Sequence, residues 1–376
     1  MEVSETDAYE FARVCISQLP EAVRRRRLQS LIEGGLDWEA VCREAGRHGI
    51  RPLIFRNLEH LLGPQLPSWL QDWIQEHQQK NRIRTNFLVR ELGEIRRLCE
   101  EHDLPLLALK GPVLAKVAYG DIAMRQYVDL DVLVPSDRFS EFDQLLRDMG
   151  YEYPKQRKKI EGWRRALFRS LKGQWQYARA GGAFNLDVHT RVMPPGYAFP
   201  ADFNPLWERS REIQLSENVT VPGLAPEDAA LVLSYHGVKN YWRSLRYVAD
   251  LAQLVQAEPT LDWSASVTRA RQMQGTRVLK LGLLLAHDVL DMALPADVES
   301  WVRSASGGIQ SWGRDVPMDG VRVMLANYLR DRSQQTVLSL VKRIRLQLAT
   351  KSTLASKIRY GAYSTMQHLW STLLKP

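Results

Sequence analysis

The chain has few cysteines and no long apolar run. Its 376 residues include three cysteines, Cys15, Cys42 and Cys99. They are odd in number and lack metal-ligand spacing, which excludes a small disulfide-stapled scaffold and favours a reducing compartment. The N-terminus carries acidic residues where a signal peptide would carry basic ones, and no stretch reaches the roughly 18 apolar residues that span a bilayer. These absences predict a soluble, cytoplasmic protein with no transmembrane segment.

Acidic residues are missing from the end of the chain. The formal net charge is +8, and residues 332–376 contain eight Lys or Arg and no Asp or Glu. This basic tail therefore carries the whole charge excess, and the rest of the chain is balanced. The tail would contact an acidic partner surface, nucleic acid or an anionic membrane. The alternative is that its apolar residues at helical spacing pack against the rest of the protein; these are Val337, Val341, Ile344 and Leu348.

A second basic segment lies at residues 155–172. It has eight Lys or Arg against the single acid Glu161, interleaved with Trp163 and Phe168. Contact with RNA or phosphate is one interpretation, and a solvated helix face is the other.

Apolar periodicity divides the chain into three parts. Helical spacing dominates up to about residue 100 and returns from Pro226 onward. Between these parts, residues 104–109 and 128–134 read as buried strands, and the stretches on either side of Gly181 and Gly182 predict a hairpin. We therefore predict an α+β protein in which a mixed-sheet core is flanked by helical regions. The expected boundaries are 1–100, 101–222 and 223–376, the last including the basic tail.

Three carboxylates fall on the predicted strands. Asp129 and Asp131 are two apart, so both side chains lie on one face, and at about 4 Å their repulsion would reach roughly 4 kcal/mol at an effective dielectric of 20. A divalent cation would reverse that repulsion, and Asp187 on the hairpin adds a third oxygen ligand suited to magnesium. An isolated Asp-x-Asp is often only a solvated strand end, and Asp187 alone fits a cross-strand ion pair.

The first strand ends in Lys110 and Gly111, and Pro112 suits the first position of a following helix. The free NH groups and the positive dipole end of a helix N-terminus favour bound phosphate. The carboxylates and this turn together indicate a phosphate-handling site.

These motifs resemble a large, mostly uncharacterised bacterial nucleotidyltransferase family of the DNA polymerase beta superfamily. The resemblance extends from about Asp37 to about Val255. It is carried by Lys110 and Gly111, Arg125, residues 128–134, residues 186–189, residues 48–53, residues 236–239 and Asp250.

The resemblance implies a two-metal transfer of a nucleoside monophosphate from a triphosphate such as ATP. Asp129 and Asp131 would ligate both magnesium ions, and Asp187 would complete the site for the ion that activates the acceptor hydroxyl. Lys110 and Arg125 would neutralise the β and γ phosphates.

One position departs from the superfamily pattern, which usually has a Gly-Ser pair at the turn. Here Pro112 follows Gly111 and offers neither hydroxyl nor NH, so phosphate contact would rest on Lys110, Gly111, Arg125 or later amides. The alternative for Lys110 and Arg125 is a surface cation near a helix end.

Three further side chains are candidates for contact with the nucleotide or acceptor. His189 shares the face of Asp187 and would touch the acceptor or a metal-bound water, or else act as a structural partner of Asp187. His236 and Lys239 lie on a later helix, where a packed, purely structural histidine is the alternative.

The sequence does not decide which class of molecule accepts the nucleotide. Members of the resembled family are associated with polysaccharide and peptide natural-product pathways, which favours a small molecule or peptide. A tRNA or protein acceptor would suit the basic segments, and a non-enzymatic nucleotide-binding scaffold is the third possibility. The presence of all three acids argues against the scaffold.

Overall fold

The computed structural model describes residues 5–153, 173–193, 203–304, 309–311 and 314–316. The two basic segments at residues 155–172 and 332–376 lie outside the described residues. No helix in the described part of the chain is long and apolar enough to cross a membrane.

The first hundred residues are helical, as predicted. They form α1 (Glu5–Ile16), α2 (Glu21–Glu33), α3 (Trp38–Arg47), α4 (Arg51–Leu61) and the long α5 (Ser68–Glu101), with a 3-10 turn at Gly63–Gln65.

Strands and helices then alternate. The order is β1 (Leu107–Ala108), α6 (Pro112–Tyr119), β2 (Leu130–Leu133), α7 (Phe139–Asp148), β3 (Gln174–Arg179), β4 (Phe184–His189), α8 (Phe203–Glu208), β5 (Arg211–Ser216) and β6 (Val219–Gly223). A 3-10 turn at Ala180–Gly182 joins β3 to β4, and the two strands pair antiparallel. The predicted hairpin is therefore confirmed.

The chain returns to helices after the sheet. These are α9 (Pro226–Lys239), α10 (Leu245–Ala257), α11 (Trp263–Gln272), α12 (Thr276–Leu290) and α13 (Ala296–Arg303), followed by a separate strand pair, β7 (Ile309–Ser311) and β8 (Arg314–Val316).

The central sheet has six strands in the order β3-β4-β2-β1-β6-β5. β2 runs parallel to β4 and antiparallel to β1, whereas β1 runs parallel to β6. The sheet is therefore mixed, and the predicted α+β class is confirmed.

β2 is shorter than the strand predicted at residues 128–134. Its register against β4 runs from Leu130 opposite Leu186 to Leu133 opposite His189. Val128 precedes the strand and is 57% exposed. Asp129 therefore lies immediately before the first residue of β2 and not within the strand.

Two apolar cores lie on opposite faces of the sheet. One joins the N-terminal and C-terminal helices and includes Leu107 and Leu133. The other packs α7 and the second half of α5 against Leu130 and Val132. Because side chains alternate along a strand, Asp131 faces the side of the sheet covered by the C-terminal helices.

Candidate active site

Two of the predicted carboxylates lie side by side on neighbouring strands. The parallel register of β2 and β4 places Asp131 directly opposite Asp187. The residues before and after each acid point into the opposite core and fix both strands. These residues are Leu130, Val132, Leu186 and Val188.

A histidine completes a compact group with these acids. Ligand atoms of Asp131, Asp187 and His189 all lie within 4.8 Å of one another. His189 Nε2 is 3.2 Å from Asp131 Oδ1, so the structure pairs this histidine with Asp131 and not with Asp187. Asp129 is half-buried one residue before β2 and is not in the group.

Lys110 is brought to the same carboxylate by the neighbouring strand. The Leu109 amide donates to the Asp131 carbonyl at 2.9 Å, and Lys110 Nζ then lies 3.0 Å from Asp131 Oδ1. One carboxylate oxygen of Asp131 therefore faces both the ammonium group and the imidazole.

The three carboxylates differ in their charge compensation. Burial alone would raise the pKa of Asp131, but Lys110 and then His189 hold it well below its usual range. The pKa values of Asp129 and Asp187 are raised, first by burial and then by the negative charge of Asp131. The site thus has more negative charge than its own cations balance, as expected of a cation site.

Gln174 is a polar contact that the sequence did not reveal. Its Nε2 donates to Asp187 Oδ2 at 2.6 Å, and Lys239 Nζ donates to its Oε1 at 3.3 Å. Gln174 pairs with His189 in the β3–β4 register, so strand alternation could have placed it on the acidic face. A glutamine in a strand carries no chemical signal of its own.

The turn before α6 adopts the expected form. Gly111 has φ 60° and ψ −127°, and α6 begins at Pro112. A Cβ at Gly111 would lie 3.4 Å from the carbonyl oxygen of Asp129. A positive φ of this kind favours glycine and keeps the turn close to the backbone of Asp129.

Arg125 is held by an acid from the C-terminal helices. Its Nε and Nη2 donate to Asp250 Oδ1 and Oδ2 at 2.8 and 2.9 Å, and the Tyr119 hydroxyl donates to Oδ1 at 2.7 Å. Burial raises the pKa of Asp129, and the charges of Lys110 and Arg125 partly oppose that rise. Arg125 is thus within electrostatic reach of the acids, while its guanidinium forms a bidentate ion pair with Asp250.

His236 and Lys239 both lie on α9, near this site. Burial, followed by the charge of Lys110, lowers the pKa of His236 well below its usual range, which keeps the ring neutral at pH 7. The ring packs edge-on against Tyr247, with centroids 5.2 Å apart. Lys239 is connected to the acids through Gln174.

No functionally curated protein matches this chain. A crystal structure of ANT(2″)-Ia in complex with adenylyl-2″-tobramycin is similar at 13% identity and a TM-score of 0.32, over 50% of this chain and 97% of that chain. A solution structure of the antibiotic-resistance factor ANT(2″)-Ia is similar at 13% identity and a TM-score of 0.33, over 50% of this chain and 91% of that chain.

A family model described as "Uncharacterised nucleotidyltransferase" matches residues 34–291. That span runs from the loop before α3 to the end of α12 and contains the acids, Lys110 and the helices that cover them. The chain belongs to this nucleotidyltransferase family.

Proposed function

We propose that the chain transfers a nucleoside monophosphate from a triphosphate such as ATP to a hydroxyl group of a small molecule or peptide. The observation that carries this proposal is the group of Asp131, Asp187 and His189, with ligand atoms within 4.8 Å of one another. Membership of a nucleotidyltransferase family supports it.

The donor set fits divalent metal ions. Carboxylate oxygens are the ligands that magnesium prefers, and the raised pKa values of Asp129 and Asp187 reflect negative charge that a cation would stabilise. Asp129, Asp131 and Asp187 would hold two magnesium ions, with His189 as a further ligand candidate. Bound there, the metal would neutralise charge on the α-phosphate and make the acceptor hydroxyl more acidic.

We propose that the cations beside the acids contact the triphosphate. Lys110 contacts Asp131 Oδ1 at 3.0 Å, and we propose that it turns to a phosphate oxygen when the nucleotide binds. Lys239, held through Gln174, and the later amides of α6 would supply further phosphate contacts, with Gly111 allowing close approach. His236 is neutral at pH 7 and would act as a hydrogen-bonding group. Arg125 would contribute through its charge.

We propose that Asp187 accepts the proton of the acceptor, since a carboxylate beside the reacting hydroxyl can act as a general base. In the proposed reaction the acceptor oxygen bonds to the α-phosphorus, the bond from that phosphorus to the bridging oxygen breaks, and pyrophosphate leaves. The acceptor's proton passes to Asp187.

Calorimetric titration with each of the four ribonucleoside triphosphates in magnesium tests the proposal. We expect magnesium-dependent binding to wild type, and its loss in Asp131→Asn and Asp187→Asn. The matched control is Asp148→Asn, because Asp148 is exposed on α7 and should bind like wild type. If no triphosphate binds to folded wild type, the proposed function is wrong.

A further inference from the structure

A basic cavity opens between α4 and α5. Its volume is about 200 Å³, and its lining includes Arg51 from α4 and His77, Lys80 and Arg84 from α5, with no acidic residue. By this measure a cavity needs about 10 to 15 Å³ to hold one water molecule, so this one has room for several. That space accommodates a phosphate or carboxylate group and a few attached atoms.

Two of the cations in this cavity form no ion pair with an acid of the described chain. Lys80 pairs with Glu76, and His77 contacts the Trp73 carbonyl. Arg51 and Arg84, in contrast, form no hydrogen bond or ion pair with any other residue of the described chain. The guanidinium of Arg51 lies over the Trp73 ring, 5.7 Å from its centroid, and its Nε is buried without a hydrogen-bond partner. A buried donor without a hydrogen bond is unfavourable, and a bound anion would supply the missing acceptor to Arg51.

Another cavity shows that a basic lining alone is not informative. It is lined by Arg209, Arg211 and Arg269. Each of these arginines pairs with an acid. The pairs are Arg209 with Asp228, Arg211 with Glu258, and Arg269 with Glu227 and Asp228. The lack of an ion-paired acid at Arg51 and Arg84 therefore distinguishes the cavity between α4 and α5.

This cavity adjoins the acidic site. Gln126 lines it and precedes Asp129 by three residues, so at most about 10 Å of chain separates the two. Burial lowers the pKa of Arg84, and Tyr127 and then Asp129 oppose that shift. Arg84 is thus within electrostatic reach of Asp129.

Helix α5 is fixed to the segment that leads to Asp129. Asn81 Nδ2 donates to the Ala123 carbonyl at 2.7 Å, and Arg82 pairs with Asp121 at 2.9 Å. The wall of the cavity is therefore held in a constant position relative to the acids.

We infer that this cavity binds the phosphate or carboxylate group of the acceptor, so that the acceptor is an anionic small molecule. This inference rests on the proposed function, because a transferase needs a second substrate site beside the first. Lys110 contacts Asp131, and Lys239 reaches Asp187 through Gln174. Arg84, in contrast, is within electrostatic reach of Asp129. The guanidinium fork suits bidentate contact with a planar carboxylate or a phosphate.

Phosphorus NMR of inorganic phosphate tests the anion site directly. The phosphate line is measured with the full-length protein in EDTA, so that metal ions do not contribute. We expect wild type to broaden the phosphate line. Arg51→Gln and Arg84→Gln should each bind phosphate at least about tenfold more weakly, because each loses a charge-assisted hydrogen bond. Arg90→Gln is the matched control, because Arg90 is exposed on the same helix and does not line the cavity. Arg84 is also exposed, so its variant should fold.

Two further arms separate this site from the triphosphate site. Saturation with magnesium and a non-hydrolysable ATP analogue should leave the phosphate broadening in place; displacement would overturn the inference. Unchanged phosphate affinity in both arginine variants, with loss in Lys110→Met, would overturn it as well. If wild type binds no magnesium–ATP, the proposed function fails and the acceptor assignment fails with it, whereas the arginine variants alone decide whether the cavity is an anion site.

Discussion

Asp250→Asn removes the charge that faces Arg125 in the interior of the protein. Arg125 is 6% exposed and Asp250 is 1% exposed, and two hydrogen bonds of 2.8 and 2.9 Å join them. Removing one partner of a buried ion pair costs about 3 to 5 kcal/mol, because the remaining charge stays buried. At about 2.1 cal/mol/K per residue, the entropy of unfolding of a 376-residue chain is about 0.8 kcal/mol/K. We therefore expect Tm to fall by about 4 to 6 °C.

Differential scanning calorimetry measures this shift, and Glu101→Gln is the control. Glu101 pairs with Arg97 on the exposed side of α5, with side chains 52% and 58% exposed, so Tm should change by less than about 1 °C. If Tm changes no more in Asp250→Asn than in the control, the structural role of the Arg125–Asp250 ion pair is refuted. If such a variant also lost magnesium–ATP affinity, Arg125 would serve the nucleotide instead of the interior.

Three other substitutions have defined outcomes. Asp187→Asn should raise Tm in EDTA at pH 7 and abolish stabilisation by magnesium. The raised pKa of Asp187 means that its ionised form destabilises the folded state above that pKa, so the gain should shrink as the pH falls; a constant gain across a pH series would contradict this. Gln174→Leu removes the 2.6 Å hydrogen bond to Asp187, so the acid limb of the pH–kcat profile should move to higher pH, and an unmoved limb would argue against a positioning role. Gly111→Ala forces alanine into φ 60° and ψ −127° and should cost about 1 to 3 kcal/mol. Gly120→Ala, at φ 78° with nothing within 4 Å of a Cβ, should cost no more, and thermal melts of both variants compare the two.

The sequence predicted the elements that depend on local patterns. Pro112 was predicted to begin a helix, and α6 begins there in the structure. Asp131 and Asp187 were predicted to lie on strands, and the structure places the two acids opposite each other on β2 and β4. These predictions succeeded because the residues responsible are close together in the chain or follow a simple strand alternation.

Contacts between distant residues could not be read in the same way. The partner of Arg125 is 125 positions away, and Lys239 reaches Asp187 through Gln174 across 65 positions. His189 shares a strand face with Asp187, yet its ring contacts Asp131 on the neighbouring strand. Such partners depend on how elements pack, which a single sequence does not specify.

Helix α5 belongs to both cores. Leu70 and Ile74 pack among the N-terminal helices, whereas Leu88 and Leu92 pack under the sheet. Its 34 residues extend over about 50 Å, and Arg84 lies between the two buried stretches. One residue inserted between Ile74 and Arg84 would rotate everything after it by about 100°. Either the buried residues of one half of α5 would rotate out of their core, or Arg84 would turn away from Arg51. This helix therefore tolerates changes of side chain far better than changes of length.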